Sequence, residues 1–325
     1  MSFLSPKLSL CAALFATSML GAQAQEPAKA PNQKPAGSPS AIEPANSASE
    51  VTFRTDTRLV DLHATVVDRT GRLVLGVPQG AFAVYENGVR QEIKVFRQGD
   101  APVSLGLIID NSASMHDKRA KVGLAALGLV AASNPDDEVF IMNFSDQPTL
   151  ERDFTNNIKA LEETLKKIDS KGETAMRDAL LMGIEHLRHG AKREKKVLLV
   201  VTDGEDNNSV ETIDHLVQTA QQNGVLIYAI GLLGDNDART AERAKKQLDL
   251  LTFTTGGQSW YPNELSEVDG IAREVAHEVR NQYTLAYTPT NQALDGTFRK
   301  IRAEVKAAGD PIVRTRTGYW ASREK

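Results

Sequence analysis

Asp110, Ser112 and Ser114 form a D-x-S-x-S sequence directly after an apolar segment. Two-residue spacing in an irregular loop can turn one carboxylate and two hydroxyls toward a single point. Such hard oxygen ligands suit magnesium, manganese or calcium rather than zinc or copper. Because Asp and Ser are also common at helix N-caps, the motif alone is equally typical of a cap for the helix that follows.

Two later segments carry oxygens that could join the same site. Thr174 lies just before a predicted helix, and Asp203 directly follows the apolar segment Val197–Thr202. Ligands of open α/β sheets bind outside the carboxyl ends of the strands, where both predicted carboxylates would lie. These positions favour a metal site over a simple helix cap. The predicted metal-binding residues are Asp110, Ser112, Ser114, Thr174 and Asp203.

Short apolar runs alternate with helical periods from residue 103 onward, which predicts a doubly wound α/β domain over residues 103–285. The continuous apolar character of the runs is typical of strands buried on both faces of a mostly parallel sheet. The predicted strands are Val103–Ile109, Glu138–Phe144, Val197–Thr202 and Val225–Leu232. The predicted helices are Ala120–Ala132, Ile158–Ile168, Ala175–Leu187, Thr212–Asn223, Ala238–Leu251 and Val268–Val279.

Both flanks of this domain have β character. Alternating apolar residues from Val60 to Val66, and an Asn87-Gly88 pair between apolar runs, predict a small β-sandwich-like module over residues 51–100. Extended stretches and turns predict a C-terminal β segment over residues 286–325. Whether the two segments pair with each other stays open.

The N-terminus has the pattern of a secretory signal peptide over residues 1–24. A basic Lys7 precedes the apolar stretch Leu8–Leu20, and Ala22-Gln23-Ala24 is a small-x-small cleavage site. The apolar stretch is shorter than a spanning helix requires, so we expect no membrane span after cleavage. Residues 25–50 are rich in Pro, Ala and Ser, which predicts a flexible linker. The expected location is periplasmic or extracellular.

The net charge and the cysteine content disfavour nucleic-acid binding and disulfide formation. The formal net charge is −4, and removal of Lys7 with the signal peptide changes it to −5. This acidic balance disfavours nucleic-acid binding. The single cysteine, Cys11, lies inside the predicted signal peptide, so the mature chain would have no disulfide.

The order, strand-end placement and approximate spacing of the five predicted ligands resemble the metal ion-dependent adhesion site (MIDAS) of von Willebrand factor A (VWA) domains. The resemblance covers roughly residues 103–285. The flanking β segments, with Tyr85-Glu86-Asn87-Gly88 before and Gly318-Tyr319-Trp320 after, resemble those of the exported bacterial VWFA-related domain proteins.

The resemblance implies one octahedral divalent cation, Mg²⁺ first, with Mn²⁺ or Ca²⁺ as alternatives. Ser112 and Ser114 would coordinate it directly, and Thr174 directly or through water. Asp110 and Asp203 would act mostly through water or as hydrogen-bond acceptors. The ion would keep positive charge, so an Asp or Glu carboxylate of a protein partner could complete its shell.

These observations predict an exported, metal-dependent, adhesion-like protein-binding module that is not an enzyme. One alternative is a structural scaffold whose metal stabilises loops. A second is a metal-dependent hydrolase with Glu173 or Glu205 as its base. The loop from Asp203 to Asn208 is expected to be solvated, and His186 and His189 to be exposed. The oligomeric state and the identity of the partner stay open.

Overall fold

The computed structural model describes residues 58–132, 134–166 and 171–322. The predicted signal peptide and linker lie outside these residues. In chain order the strands are β1 (Val60–Val67), β2 (Phe82–Glu86), β3 (Val89–Gln91), β4 (Ile93–Gln98), β5 (Val103–Asp110), β6 (Glu138–Phe144), β7 (Pro148–Thr155), β8 (Lys195–Thr202), β9 (Val225–Gly231), β10 (Ser259–Trp260), β11 (Tyr283–Tyr287), β12 (Phe298–Val305), β13 (Ile312–Arg314) and β14 (Gly318–Trp320). The helices are α1 (Arg119–Ala132), α2 (Ile158–Leu165), α3 (Met176–Gly190), α4 (Ile213–Asn223), α5 (Ala238–Thr255) and α6 (Val268–Arg280).

A six-stranded sheet in the order β10-β9-β8-β5-β6-β7 forms the centre of the α/β domain. All neighbouring strands run parallel except β7, which is antiparallel to β6. The four longest parallel strands are largely apolar, and all their residues except Lys196 are buried, because helices cover both sheet faces. The predicted doubly wound, mostly parallel α/β fold is confirmed.

The helices bury one apolar stripe each against this sheet. The cluster on one face contains buried residues of α1, α2 and α6, and the cluster on the other contains buried residues of α3, α4 and α5. The apolar helix α1 is therefore a core helix. Among the described residues, no helix combines the length and apolarity needed to cross a membrane.

The flanking segments on either side of the α/β domain pair with each other. Residues before and after that domain form two antiparallel sheets, in the orders β13-β1-β11-β4 and β14-β12-β2-β3. Their apolar faces share one core, which includes Leu62, Val84, Leu285 and Ile301. The strand β11 belongs to this flanking structure, so the predicted domain boundary after residue 285 falls inside a strand.

The Asn87-Gly88 pair makes the predicted hairpin turn between β2 and β3. Asn87 has φ 48° and Gly88 has φ 85°, and Glu86 pairs with Val89 across the turn. Two successive positive φ values characterise the tight turn whose twist matches that of the strands.

A buried polar network fixes the flanking sheets against the α/β domain. The Glu278 carboxylate, on α6, accepts hydrogen bonds from Thr65 Oγ1 on β1 at 3.2 Å and from Tyr228 OH on β9 at 3.0 Å. It also accepts a 2.6 Å bond from Arg314 Nη2 on β13. Glu278 is only 3% exposed, so these partners supply the hydrogen bonds that water no longer provides.

Close packing around β5 gives a first prediction. A Cβ at Gly106, in the middle of β5, would overlap the Phe140 ring and approach Leu198 Cδ2 to 2.5 Å. Both neighbours are fully buried and have no room to move. We expect Gly106→Ala to lower the free energy of unfolding by about 1–3 kcal/mol, as overpacking does, in urea unfolding followed by circular dichroism.

Gly270 provides the control, because a Cβ there would meet no atom within 4 Å on the exposed side of α6. We expect Gly270→Ala to be neutral or to stabilise by about 0.5–1 kcal/mol. An equal loss of stability in both variants would contradict the tight packing of β5 between β6 and β8.

Candidate metal centre

The carboxyl ends of β5 and β8 place two carboxylates side by side. The strands are parallel neighbours, with Ile109 opposite Val201, so Asp110 at the end of β5 lies next to the end of β8. Asp110 is fully buried. Its Oδ1 accepts a hydrogen bond from Ser112 N at 2.8 Å, and its Oδ2 accepts one from Thr202 Oγ1 at 2.5 Å.

A chain of hydroxyl contacts continues from this loop to Asp203. Ser112 Oγ lies 3.2 Å from Ser114 Oγ, and Ser114 Oγ donates a 2.8 Å hydrogen bond to Asp203 Oδ1. Ser112 and Asp203 are buried, whereas Ser114 is exposed. The side chain of Ser112 makes no capping hydrogen bond to the following turn, and α1 begins only at Arg119. The helix-cap alternative is therefore wrong.

Thr174 lies on the neighbouring loop before α3. A Cβ at Gly204 would lie 3.9 Å from Thr174 Oγ1, so the hydroxyl faces the loop that follows Asp203. Thr174 is 6% exposed. Within the described part of the chain, no hydrogen bond joins its hydroxyl to the other four predicted ligands. Thr174 is thus adjacent to Asp203 through the loop rather than through a direct side-chain bond.

Main-chain hydrogen bonds tie the three loops of this edge together. Lys171 N donates to Asn111 O at 2.9 Å, and Ala113 N donates to Gly172 O at 3.2 Å. Asn207 N donates to the carbonyl oxygen of Thr174 at 3.1 Å. Main-chain hydrogen bonds between the loops therefore set the positions of the side-chain oxygens.

Asp206 anchors the loop that follows β8. Its carboxylate accepts hydrogen bonds from Arg177 N at 2.7 Å and from the guanidinium at 3.1 and 3.2 Å. Ser209 Oγ donates another at 2.7 Å. Asp206 is 7% exposed, so the expectation of a solvated loop is wrong at this position. Its burial is balanced by a bidentate partner, which is a strong form of ion pair.

Burial sets the electrostatics of the two strand-end carboxylates. The pKa of Asp110 is raised to about 6, chiefly by removal from water and to a smaller extent by the negative charge of Asp203. Hydrogen bonds from Ser112 and Thr202 act in the opposite direction. The negative charge of Asp203 disfavours the ionised form of Asp110, so this sheet edge favours a cation.

Lys118 supplies a cation to this edge. Its Nζ donates to Asp203 Oδ2 at 2.7 Å, and the two side chains are 12% and 1% exposed. Lys118 was not predicted from the sequence, because its residue type and position before α1 are those of an ordinary surface lysine. A search for cations near the D-x-S-x-S loop would have found it.

The five predicted ligands offer only carboxylate and hydroxyl oxygens. This donor set fits a hard divalent cation. In the parts of the chain that the structure covers, no group of three or more His, Cys, Asp or Glu side chains is placed to hold a metal. Three of the five predicted ligands, Ser112, Ser114 and Thr174, are hydroxyls.

A comparison with protein families matches residues 105–205 to the family described as von Willebrand factor type A domain. The matched segment runs from β5 past Asp203 and includes all five predicted ligands. The chain contains a VWA domain.

Curated relatives match the same domain over part of their length. An uncharacterized protein of Synechocystis is 27% identical over 110 residues, which are 33% of this chain and 26% of that protein. Integrin alpha-11 of Homo sapiens is 33% identical over 84 residues, which are 24% of this chain and 7% of the integrin. The matches thus span about a quarter or less of these relatives.

Solved structures include similar chains. A von Willebrand factor type A protein from Catenulispora acidiphila has 13% identity and a TM-score of 0.49, covering 82% of this chain and 75% of that one. Proximal thread matrix protein 1 from the mussel byssus, described with a zinc-occupied MIDAS motif, has 18% identity and a TM-score of 0.46, covering 65% of this chain and 50% of that one.

Three histidines of the VWA domain contact residues other than the five predicted ligands. His116 is exposed and lies 2.9 Å from Asp117 Oδ1. His189 is exposed, as expected. His186 is not, because its ring stacks on Phe154 at 4.8 Å and meets the edge of Phe140 at 4.7 Å. The prediction of an exposed His186 is wrong because this face of α3 packs against β6 and β7.

The Asp206 anchor gives a second prediction. Asp206→Ala removes the partner of Arg177, whose side chain is 22% exposed. We expect the free energy of unfolding to fall by about 2–4 kcal/mol, because a largely buried guanidinium loses its counter-charge. Thermal unfolding by calorimetry measures the change.

Asp214→Ala is the matched control, since Asp214 lies exposed in the first turn of α4. It should cost no more than about 1 kcal/mol, the usual size of a favourable charge–dipole contact. If both variants unfolded at the same temperature, Asp206 would not anchor the loop.

Proposed function

We propose that this protein is a divalent-metal-dependent protein-binding module, with the metal held at the carboxyl edge of the VWA sheet by Asp110, Ser112, Ser114, Thr174 and Asp203. One observation carries the proposal. The contact chain from Asp110 through Ser112 and Ser114 to Asp203 converges on the edge where open α/β sheets bind ligands.

Each residue of the set has a role that its contacts support. Asp203 accepts a hydrogen bond from the Ser114 hydroxyl, which leaves an oxygen lone pair of Ser114 directed toward a cation. Asp110 fixes the loop through Ser112 N and is itself oriented by Thr202. Thr174 adds a third hydroxyl from the adjacent loop. When bound, the ion would supply a positive charge that can accept an Asp or Glu carboxylate of a partner protein.

Mg²⁺ is the proposed ion because most donors are neutral hydroxyls, and Mg²⁺ commonly binds through few carboxylates and keeps waters. Mn²⁺ and Ca²⁺ share the same ligand preference. The signal-peptide pattern of residues 1–24 supports export to the periplasm or beyond. A partner would then meet the metal outside the cytoplasm.

Binding rather than catalysis is the role favoured by the groups around this edge. Glu173 accepts a 2.7 Å hydrogen bond from Asn207 Nδ2, and Glu205 is paired with Arg243 Nη2 at 3.0 Å. Each candidate base thus has a carboxylate oxygen engaged with a protein group. In the part of the chain described, neither serine hydroxyl is hydrogen-bonded to a histidine.

A purely loop-stabilising metal is less favoured. The main-chain bonds between the three loops and the Asp206–Arg177 ion pair already hold this edge. The proposal therefore assigns the ion to partner recognition, and chelation should abolish partner binding while leaving the fold intact.

Calorimetric titration of Mg²⁺ and Mn²⁺ tests the metal site. We expect one saturable site in the unaltered chain, lost in Asp110→Ala because both its loop contact and a carboxylate disappear. Ser114→Ala serves as a second variant, since Ser114 is exposed and its loss should leave the fold intact. Asp214→Ala on α4 should bind as the unaltered chain does.

Partner recognition needs a separate measurement. Immobilised peptides with Asp or Glu, each paired with its Asn or Gln counterpart, would be probed with the labelled chain in Mg²⁺ and in chelator. The proposal predicts retention by acidic peptides only, in Mg²⁺ only, and loss of retention in Ser114→Ala. Equal retention with chelator present would contradict metal-dependent recognition.

A further inference from the structure

The amino group of Lys118 forms an ion pair with the Asp203 carboxylate. Its Nζ lies 2.7 Å from Oδ2, while Ser114 Oγ takes Oδ1 of the same carboxylate at 2.8 Å. Both oxygens of a 1% exposed side chain are thereby engaged. We infer that Lys118 is a competitor built into the chain: its ammonium neutralises Asp203 until a divalent cation displaces it. This inference rests on the proposed metal site.

The two buried carboxylates at this edge need a positive counter-charge when no metal is bound. Asp110 is fully buried and Asp203 nearly so, and an unpaired buried carboxylate is costly. The Lys118 ammonium offsets this cost when no metal is bound. Because an ammonium and a divalent cation at one carboxylate repel each other, the ion must move Lys118 away from Asp203.

The chain around Lys118 allows that movement. Lys118 lies between the turn Ala113–Met115 and the start of α1, and its own N–H is held by Met115 O at 3.1 Å. The preceding side chains, His116 and Asp117, are 74% and 97% exposed. Lys118 thus follows an exposed stretch of chain, and its flexible four-carbon stem can turn without a change in the backbone.

This arrangement selects for the charge of the ion. A monovalent cation brings no more charge to Asp203 than the ammonium that it would displace, so the exchange gains nothing. A divalent cation brings twice that charge and also takes the hydroxyl oxygens of Ser112 and Ser114. Lys118 therefore lowers the affinity for all ions but leaves a preference for divalent ones.

Lys118→Met tests the inference, because methionine keeps much of the stem and removes the charge. Lys121→Met is the control: Lys121 lies on α1 three residues later, is exposed, and loses the same charge. Both full-length variants and the unaltered chain would be titrated with MgCl₂ and MnCl₂ by calorimetry. Their melting temperatures would be measured in chelator and in saturating Mg²⁺.

We expect Lys118→Met to bind Mg²⁺ more tightly, on the order of tenfold in Kd, and Lys121→Met to bind as the unaltered chain does. In chelator, Lys118→Met should melt at a lower temperature than Lys121→Met, because Asp203 loses its counter-charge. Addition of Mg²⁺ should then raise its melting temperature by more than in the other two chains.

The outcomes separate this inference from the proposed function. Equal or weaker Mg²⁺ binding by Lys118→Met, with one site present in the unaltered chain, would overturn the competitor role and leave the metal site standing. Binding by Lys118→Met alone would support the competitor role but contradict the proposed function, which requires the unaltered chain to bind the ion. Absence of binding in all three chains would overturn both the competitor role and the metal site.

Discussion

Two buried carboxylates at adjacent strand ends impose the constraint around which this edge of the molecule is arranged. Asp110 and Asp203 lie side by side because β5 pairs in parallel with β8. Both are buried, so water does not stabilise their charges. Hydroxyls of Ser112, Ser114 and Thr202 are drawn toward them as donors, and the Lys118 ammonium balances Asp203. The same features that make the edge costly without a cation make it suitable for one.

The rest of the fold holds this edge rigid. Helices on both faces bury the central strands, and the glycine in the middle of β5 lets Phe140 and Leu198 pack against the backbone. The Asp206–Arg177 ion pair fixes the loop after β8. At the other end of the domain, Glu278 connects α6 to the flanking sheets. A rigid frame keeps hydroxyl oxygens in place without energy spent on ordering them at the moment of binding.

Much of this could be predicted from the sequence because it depends on local pattern. A continuous apolar run predicted β6 residue for residue, and the Asn87-Gly88 pair predicted its turn. Strand β7 was missed because its residues alternate in exposure on a polar edge and begin with Pro148. Lys118 and Arg177 were missed for a different reason: their partners, Asp203 and Asp206, lie far along the chain, and only the folded loops bring them together. The prediction that the loop around Asp206 is solvated was wrong for the same reason.

Anomalous diffraction from a crystal of this protein soaked in MnCl₂ tests the central claim most directly, since it locates the ion among named atoms. The account predicts one strong peak at the carboxyl edge of β5 and β8, within about 2–2.5 Å of the Ser112 and Ser114 hydroxyl oxygens, with Lys118 turned away from Asp203. A crystal saturated with Mn²⁺ that shows no peak at this edge, and Lys118 still paired with Asp203, would contradict it.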